Sequence, residues 1–208
     1  MSRPREFDRD EALERAVEAF WTKGYGGTSV QNLVDSMGIQ RGSLYAAFGD
    51  KRQLFLEALE KYEERFYLKM VAFLEAGSSR EGIRRVFEQV LEDCACGSGV
   101  KGCLITNTAV ALAEEDSDVR ERVRTNLARV EGAFRESLLD GSRRGQLPAR
   151  CEPFAVARFL TNSLQGLRVL AKCSVDYDVL KDAVEVTLSI LEDPAPPRAS
   201  EFKKGDAC

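Results

Sequence analysis

Apolar residues recur at helical spacing along almost the whole chain, and no stretch of four or more residues alternates as a half-buried strand would. A sequence patterned this way folds as an all-α protein. Leu13, Ala16, Val17 and Phe20 follow the i, i+3, i+4, i+7 template, with acidic residues crowding the first turns where the helix dipole favours them. Lys23-Gly24 ends that helix. Thr28 and Gln31 stand at capping-box spacing and open a short second helix that carries Val30, Leu33 and Val34 inward as far as Gly38. A third short helix begins near Gln40 and carries Leu44, Tyr45 and Phe48 up to Gly49-Asp50. Asp50 and Gln53 repeat the capping spacing and open a long helix striped by Phe55, Leu59, Tyr62, Phe66, Met70 and Phe73. It is long enough to leave the first module and join a second.

Downstream, Ser78 to Glu81 caps a helix with Ile83, Val86, Phe87, Val90, Leu91 and Cys94 on one face. A loop from Cys96 to Gly102 leads to a helical run from about Cys103 to Ala113. Val119, Val123, Leu127, Val130, Phe134 and Leu138 stripe the next helix, which ends at a loop from Gly141 to Pro148. Pro153 suits the first turn of a helix running to about Lys172, and a last helix spans roughly Asp178 to Leu191. Both of these are apolar on more than one side, so something must cover them: the rest of this chain, or the same pair from a second copy. The polar, proline-led stretch 193–208 is expected to be a disordered tail.

Composition narrows the function classes. The 208 residues include no histidine, which removes His-based general bases, His-containing triads and His-ligated zinc. Six cysteines without a Cys-x-x-Cys pair are too sparse for a disulfide scaffold or a thiolate metal site, so neither metal nor cofactor is expected. No window approaches a membrane span, and Met1 to Asp10 lacks signal-peptide character, so the expectation is a cytoplasmic protein that binds rather than catalyses. The net charge of −4 means that any nucleic-acid role must come from a local motif.

Such a motif is present. Helices over 29–48 joined by a tight Gly-containing turn have the dimensions of a helix-turn-helix, although hairpins of this size also serve purely as packing units. The residues decide between these: Gly24-Tyr25, Thr28-Ser29-Val30, Leu33, Met37-Gly38-Ile39-Gln40-Arg41-Gly42-Ser43-Leu44-Tyr45, Phe48, Asp50-Lys51 and Leu54-Phe55 resemble the DNA-binding domain of the tetracycline-repressor (TetR) family. The resemblance implies a three-helix DNA-binding domain over 6–53, a helical effector-binding and dimerisation domain over 54–192, and a homodimer held by the last two helices on a pseudo-palindromic operator.

Chemistry supports the same positions. Gly38 permits the positive φ of a sharp turn, and Gly42 lets the recognition helix come close to a DNA backbone. Thr28 or Ser29 at a helix N-terminus, Tyr45, and Lys51 are suited to phosphates, whereas Gln40, Arg41 and Ser43 are placed to read bases, Arg toward guanine and Gln toward adenine. From Ala19 to Phe55 there are four basic residues against two acidic, a modest surplus that calls for two half-sites. Ala46 and Ala47 depart from the family pattern, as does Gln40; these positions are expected to face outward.

In the C-terminal half, Phe66, Met70, Phe87, Val90, Cys103, Leu104, Asn107, Phe134 and Leu164 are candidate linings of a cavity for a small apolar or electrophilic effector, or else ordinary core. Lys101-Gly102-Cys103-Leu104-Ile105, Asn107 and Ala171-Lys172 resemble the N-ethylmaleimide-repressor-like branch of the family, which implies a sensing role for Cys103 helped by Lys172. A thiol at a helix N-terminus beside a lysine has a lowered pKa, which makes that chemistry coherent; a small packing residue is the alternative. The functional expectation is a DNA-binding regulator, a repressor released by its effector; the alternative is a ligand-binding or thiol-sensing helical protein whose first module binds no DNA.

Overall fold

The computed structural model describes residues 7–95, 101–173 and 176–192, and among these there is no strand. The helices are α1 (Arg9–Gly27), α2 (Val30–Met37), α3 (Arg41–Phe48), α4 (Lys51–Glu75), α5 (Ser79–Ala95), α6 (Leu104–Leu112), α7 (Ser117–Arg143), α8 (Pro153–Lys172) and α9 (Tyr177–Leu188), followed by a 3-10 turn Ser189–Leu191. The expected tail and Cys96 lie outside the described residues. No described helix is long and apolar enough to cross a membrane.

Capping residues explain the helix starts. The carboxylates of Asp8, Asp50, Asp116 and Glu152 accept from backbone N–H groups of α1, α4, α7 and α8. Each satisfies donors that would otherwise be orphaned. At α2 the capping box is Ser29 with Asn32, one residue later than the Thr28–Gln31 spacing implied. The shift has a cause: Thr28 is fully buried and its hydroxyl donates to Gly24 O at 2.6 Å, ending α1 instead of beginning α2. Gly24 itself takes φ 70°, which breaks α1 where the sequence placed its end.

Two apolar cores form, and α4 runs through both. Its first half gives Leu54, Phe55, Ala58, Leu59 and Tyr62 to a cluster with Phe20, Leu33, Leu44 and Phe48; its second half gives Met70 and Leu74 to a cluster of α5, α7, α8 and α9. The head cluster does not stop near residue 53. Cys103, Leu104 and Ile105 of the α6 region and Val119 and Val123 of α7 belong to it, so the C-terminal half supplies part of the wall on which the head is seated. Polar ties follow the same seam: Trp21 Nε1 donates to Gly102 O at 2.8 Å, and Arg52 bridges Asp116 at 3.1 Å and Asp118 at 2.7 Å.

Candidate nucleic-acid interface and effector cavity

Within the head, α2 and α3 meet at Gly38, whose φ of 67° is the left-handed turn the sequence required. Leu44 and Phe48 are buried and fix the inner face of α3. That anchoring turns Gln40, Arg41, Gly42 and Tyr45 outward, and Ser43 is half-buried beside them. Gln40 makes no side-chain cap, and Arg41 forms no ion pair among the described residues. A Cβ on Gly42 would meet nothing within 4 Å, so no contact inside this chain demands glycine there. Of the pair expected at the α2 start, Ser29 is exposed while Thr28 is inside, so the Thr28 hydroxyl is not available to a phosphate in this arrangement. Lys51 Nζ lies 4.2 Å from the centroid of the Tyr25 ring, a cation–π contact that holds it beside the α1 end. Ala46 faces outward as expected, but Ala47 leans on the head core and its carbonyl accepts from Arg9 at 3.3 Å.

A cavity of about 400 Å³ opens between α1, α4, α5 and α8. Three expected residues line it: Phe66, Met70 and Val90. Phe87, Phe134 and Leu164 are instead packed in the C-terminal core, and Leu104 belongs to the head cluster. Helical periodicity identifies an inward face without revealing where that face leaves a void. Asn107 also lies off the cavity, where its amide donates to Lys101 O at 3.0 Å and accepts from Lys172 Nζ at 2.9 Å.

Cys103 is buried at the N-cap of α6, behind the cavity wall. Its neighbouring cation is Arg168, whose Nη1 lies 3.6 Å from Sγ, whereas Lys172 reaches Asn107 and lays its stem over Gly102. The expected Cys–Lys pairing is thus replaced by Cys–Arg one helical turn earlier. Burial pushes the Cys103 thiol up, but Arg168, Thr106 and Tyr62 more than offset it and leave the thiol below its ordinary value. Trp21 and Glu18, both on α1 of the head, also line the cavity.

Comparison with known proteins agrees with this geometry. Residues 12–58 match the bacterial regulatory proteins of the tetR family, and residues 77–187 match the tetracyclin repressor-like C-terminal domain. YezE of Bacillus subtilis (strain 168), an HTH-type transcriptional regulator, is 37% identical over 194 residues, which cover 92% of this chain and 100% of the relative. The chain belongs to the TetR family. The HTH-type transcriptional repressor ComR of Escherichia coli (strain K12) is 30% identical over 190 residues, covering 90% of each chain. A cysteine mutant of the TetR family regulator CifR, complexed with 26 bp of double-strand operator DNA, matches with a TM-score of 0.79 at 35% identity, covering 92% of this chain and 100% of that one. Reduced E. coli NemR has the same fold, with a TM-score of 0.82 at 21% identity over 90% of this chain and 98% of its own.

This TetR-family chain leaves an apolar strip on its last two helices. Phe154, Phe159, Val169 and Leu170 of α8 and Tyr177, Val179 and Val186 of α9 are exposed, Val186 by 72%. Sequence reasoning found that face. It missed Arg168, Trp21 and Glu18 in the cavity wall, although the signal for Arg168 was present: Leu164, Leu167, Arg168 and Ala171 form one i, i+3, i+4, i+7 stripe, with a lone cation on its buried side.

Proposed function

We propose that the chain is a homodimeric cytoplasmic repressor of pseudo-palindromic operator DNA, released when an effector occupies the cavity at the seam of its two halves. The observation that carries this is the outward set Gln40, Arg41, Gly42 and Tyr45 on a helix whose other face is locked by Leu44 and Phe48. A guanidinium on guanine N7 and O6 and an amide on adenine are the pairings such a surface offers, with the Tyr45 hydroxyl, Ser29 and Lys51 directed to phosphates and Ser43 at the margin. The strip on α8 and α9 supports the dimer: Gly166, Leu170, Ala183 and Thr187 edge a shallow groove there, suited to apolar side chains of an identical pair.

Release follows from cavity walls that belong to both halves. A ligand that packs better when α1 shifts relative to α4 draws the population away from the DNA-competent spacing of the two heads, by no more than its differential affinity for the two states. Trp21 and Glu18 carry that shift directly into the head. A gel-shift titration with the gene's own upstream DNA tests the reading. A discrete complex that disappears with Arg41→Ala plus Tyr45→Ala is expected; binding unchanged by that pair defeats the assigned contacts.

The Cys103–Arg168 contact favours a second reading of release, in which an electrophile modifies the lowered-pKa thiol. Cys103→Ser then holds operator through electrophile treatment, whereas normal release in that variant removes the thiol from the mechanism.

A further inference from the structure

Arg168 is 8% exposed, and what remains exposed faces the cavity it lines. A guanidinium is always charged and carries five N–H donors. Among the described residues this one meets no carboxylate. Its hydrogen bond runs from Nη1 to Cys103 Sγ at 3.6 Å, and the Phe66 ring covers it at 3.8 Å. At the cavity rim Lys69 also meets no carboxylate among the described residues and lies 5.8 Å from the Phe73 ring centroid, but it is exposed to water where Arg168 is not. Glu18 pairs with Lys101 at 2.6 Å and with Arg65 at 3.9 Å, while Asp93 accepts from Gln89 Nε2 at 2.8 Å. A buried cation left in this state is costly unless an anion arrives to satisfy it.

We propose that the cavity takes a small amphipathic carboxylic acid as its anion, the carboxylate held by Arg168 and the apolar or aromatic body lying on Phe66, Met70, Val90 and Trp21. The proposal rests on reading this cavity as the effector site. The planar fork of Arg168 matches a carboxylate in shape, the lining cations Arg65, Lys69, Lys101 and Arg168 outnumber the carboxylates Glu18 and Asp93, and the apolar walls beside the fork suit an acid whose charge is confined to one end. A volume of about 400 Å³ accommodates a one- or two-ring acid with a short chain. The Cys103 sulfur engages only one of the five N–H donors, and the rest have no partner among the described residues.

The test uses full-length protein and three acid–amide pairs of matched shape: phenylacetate, phenylbutanoate and naphthoate, each beside its neutral amide. Calorimetry gives the affinities, and fluorescence of Trp21, the single tryptophan of the chain, reports occupancy at the seam. At least one acid is expected to bind about tenfold or more tightly than its amide, from a charge-assisted bond formed out of bulk water. Arg168→Met brings acid and amide together, Arg168→Lys retains part of the preference, and Cys103→Ala retains all of it. Acid and amide binding alike in the unmutated protein, no pair binding at all, or a preference that survives Arg168→Met overturns the proposal. A parallel gel shift separates the two claims. Operator binding without an acid preference defeats the carboxylate site and leaves the repressor standing; acid binding without operator binding does the reverse.

Discussion

The recognition helix and the cavity each hold a cation without an acidic partner among the described residues, in opposite settings. Arg41 stands in solvent on α3, where water hydrates it at little cost and a phosphate or guanine edge can replace that water. Arg168 lies inside, beneath Phe66, where little water reaches it. Most arginines between them are tied down: Arg52 to Asp116 and Asp118, Arg122 to Glu60, Arg129 to Glu64. An unpaired charge on the surface marks a place where polyanion binding adds energy, and one in the interior marks a place where a small anion removes a penalty. The head and the C-terminal half share a core in place of a flexible linker, the packed route that the proposed release requires.

The largest effect expected from breaking this comparison is on that core. Leu44→Ala empties a fully buried position under the recognition helix and costs about 2–5 kcal/mol. Because the head cluster includes Ile105 and Val123 from the other half, denaturant unfolding of the variant is expected to remain a single transition shifted to lower midpoint. A separate early transition of the head alone would show that the seam does not couple the halves.

Gly42→Ala is sharper and smaller. Nothing within 4 Å opposes the added methyl, so α3 is expected to gain up to about 1 kcal/mol of stability while operator affinity falls about tenfold through a clash with the DNA backbone. Calorimetric melting and a gel shift on the same preparation check both signs. Affinity equal to that of the unmutated protein would remove the close approach assigned to this glycine.

The smallest effect concerns Glu63 on α4. Its Oε1 is buried without a hydrogen-bond partner, and burial first, with Glu60 adding and Arg122 and Arg129 opposing, pushes the carboxyl up to about 7. A carboxyl raised from 4.5 contributes stability that is complete below that value and lost as pH rises through about 7. Glu63→Gln is therefore expected to melt higher than the unmutated protein at pH 8 by a few degrees, with the advantage vanishing near pH 5. A difference independent of pH between those values would contradict the assignment.

What the sequence made legible follows from what fixes each feature. The turn at Gly38 and the anchors Leu33, Leu44 and Phe48 are set by local geometry and could be read directly. The choice between Thr28 and Ser29 as the cap could not, because both carry a hydroxyl and only tertiary packing buries one of them. The same holds for the cavity: Phe66 and Phe87 both sit on apolar stripes, yet Phe87 stacks on Phe134 at 6.2 Å while Phe66 faces the opening. Neither spacing nor composition distinguishes a wall from a filling. The seam itself, with Trp21 bonded to Gly102 across 81 positions of sequence, lies beyond any local pattern.

Hydroxyl-radical footprinting on the gene's upstream DNA tests the central claim most directly. Two protected half-sites of related, inverted sequence are predicted, their centres about one helical turn, roughly 34–36 Å, or a multiple of it apart, and both lost together with Arg41→Ala plus Tyr45→Ala. Protection of a single half-site, or uniform weak protection with no preferred sequence, would contradict the account.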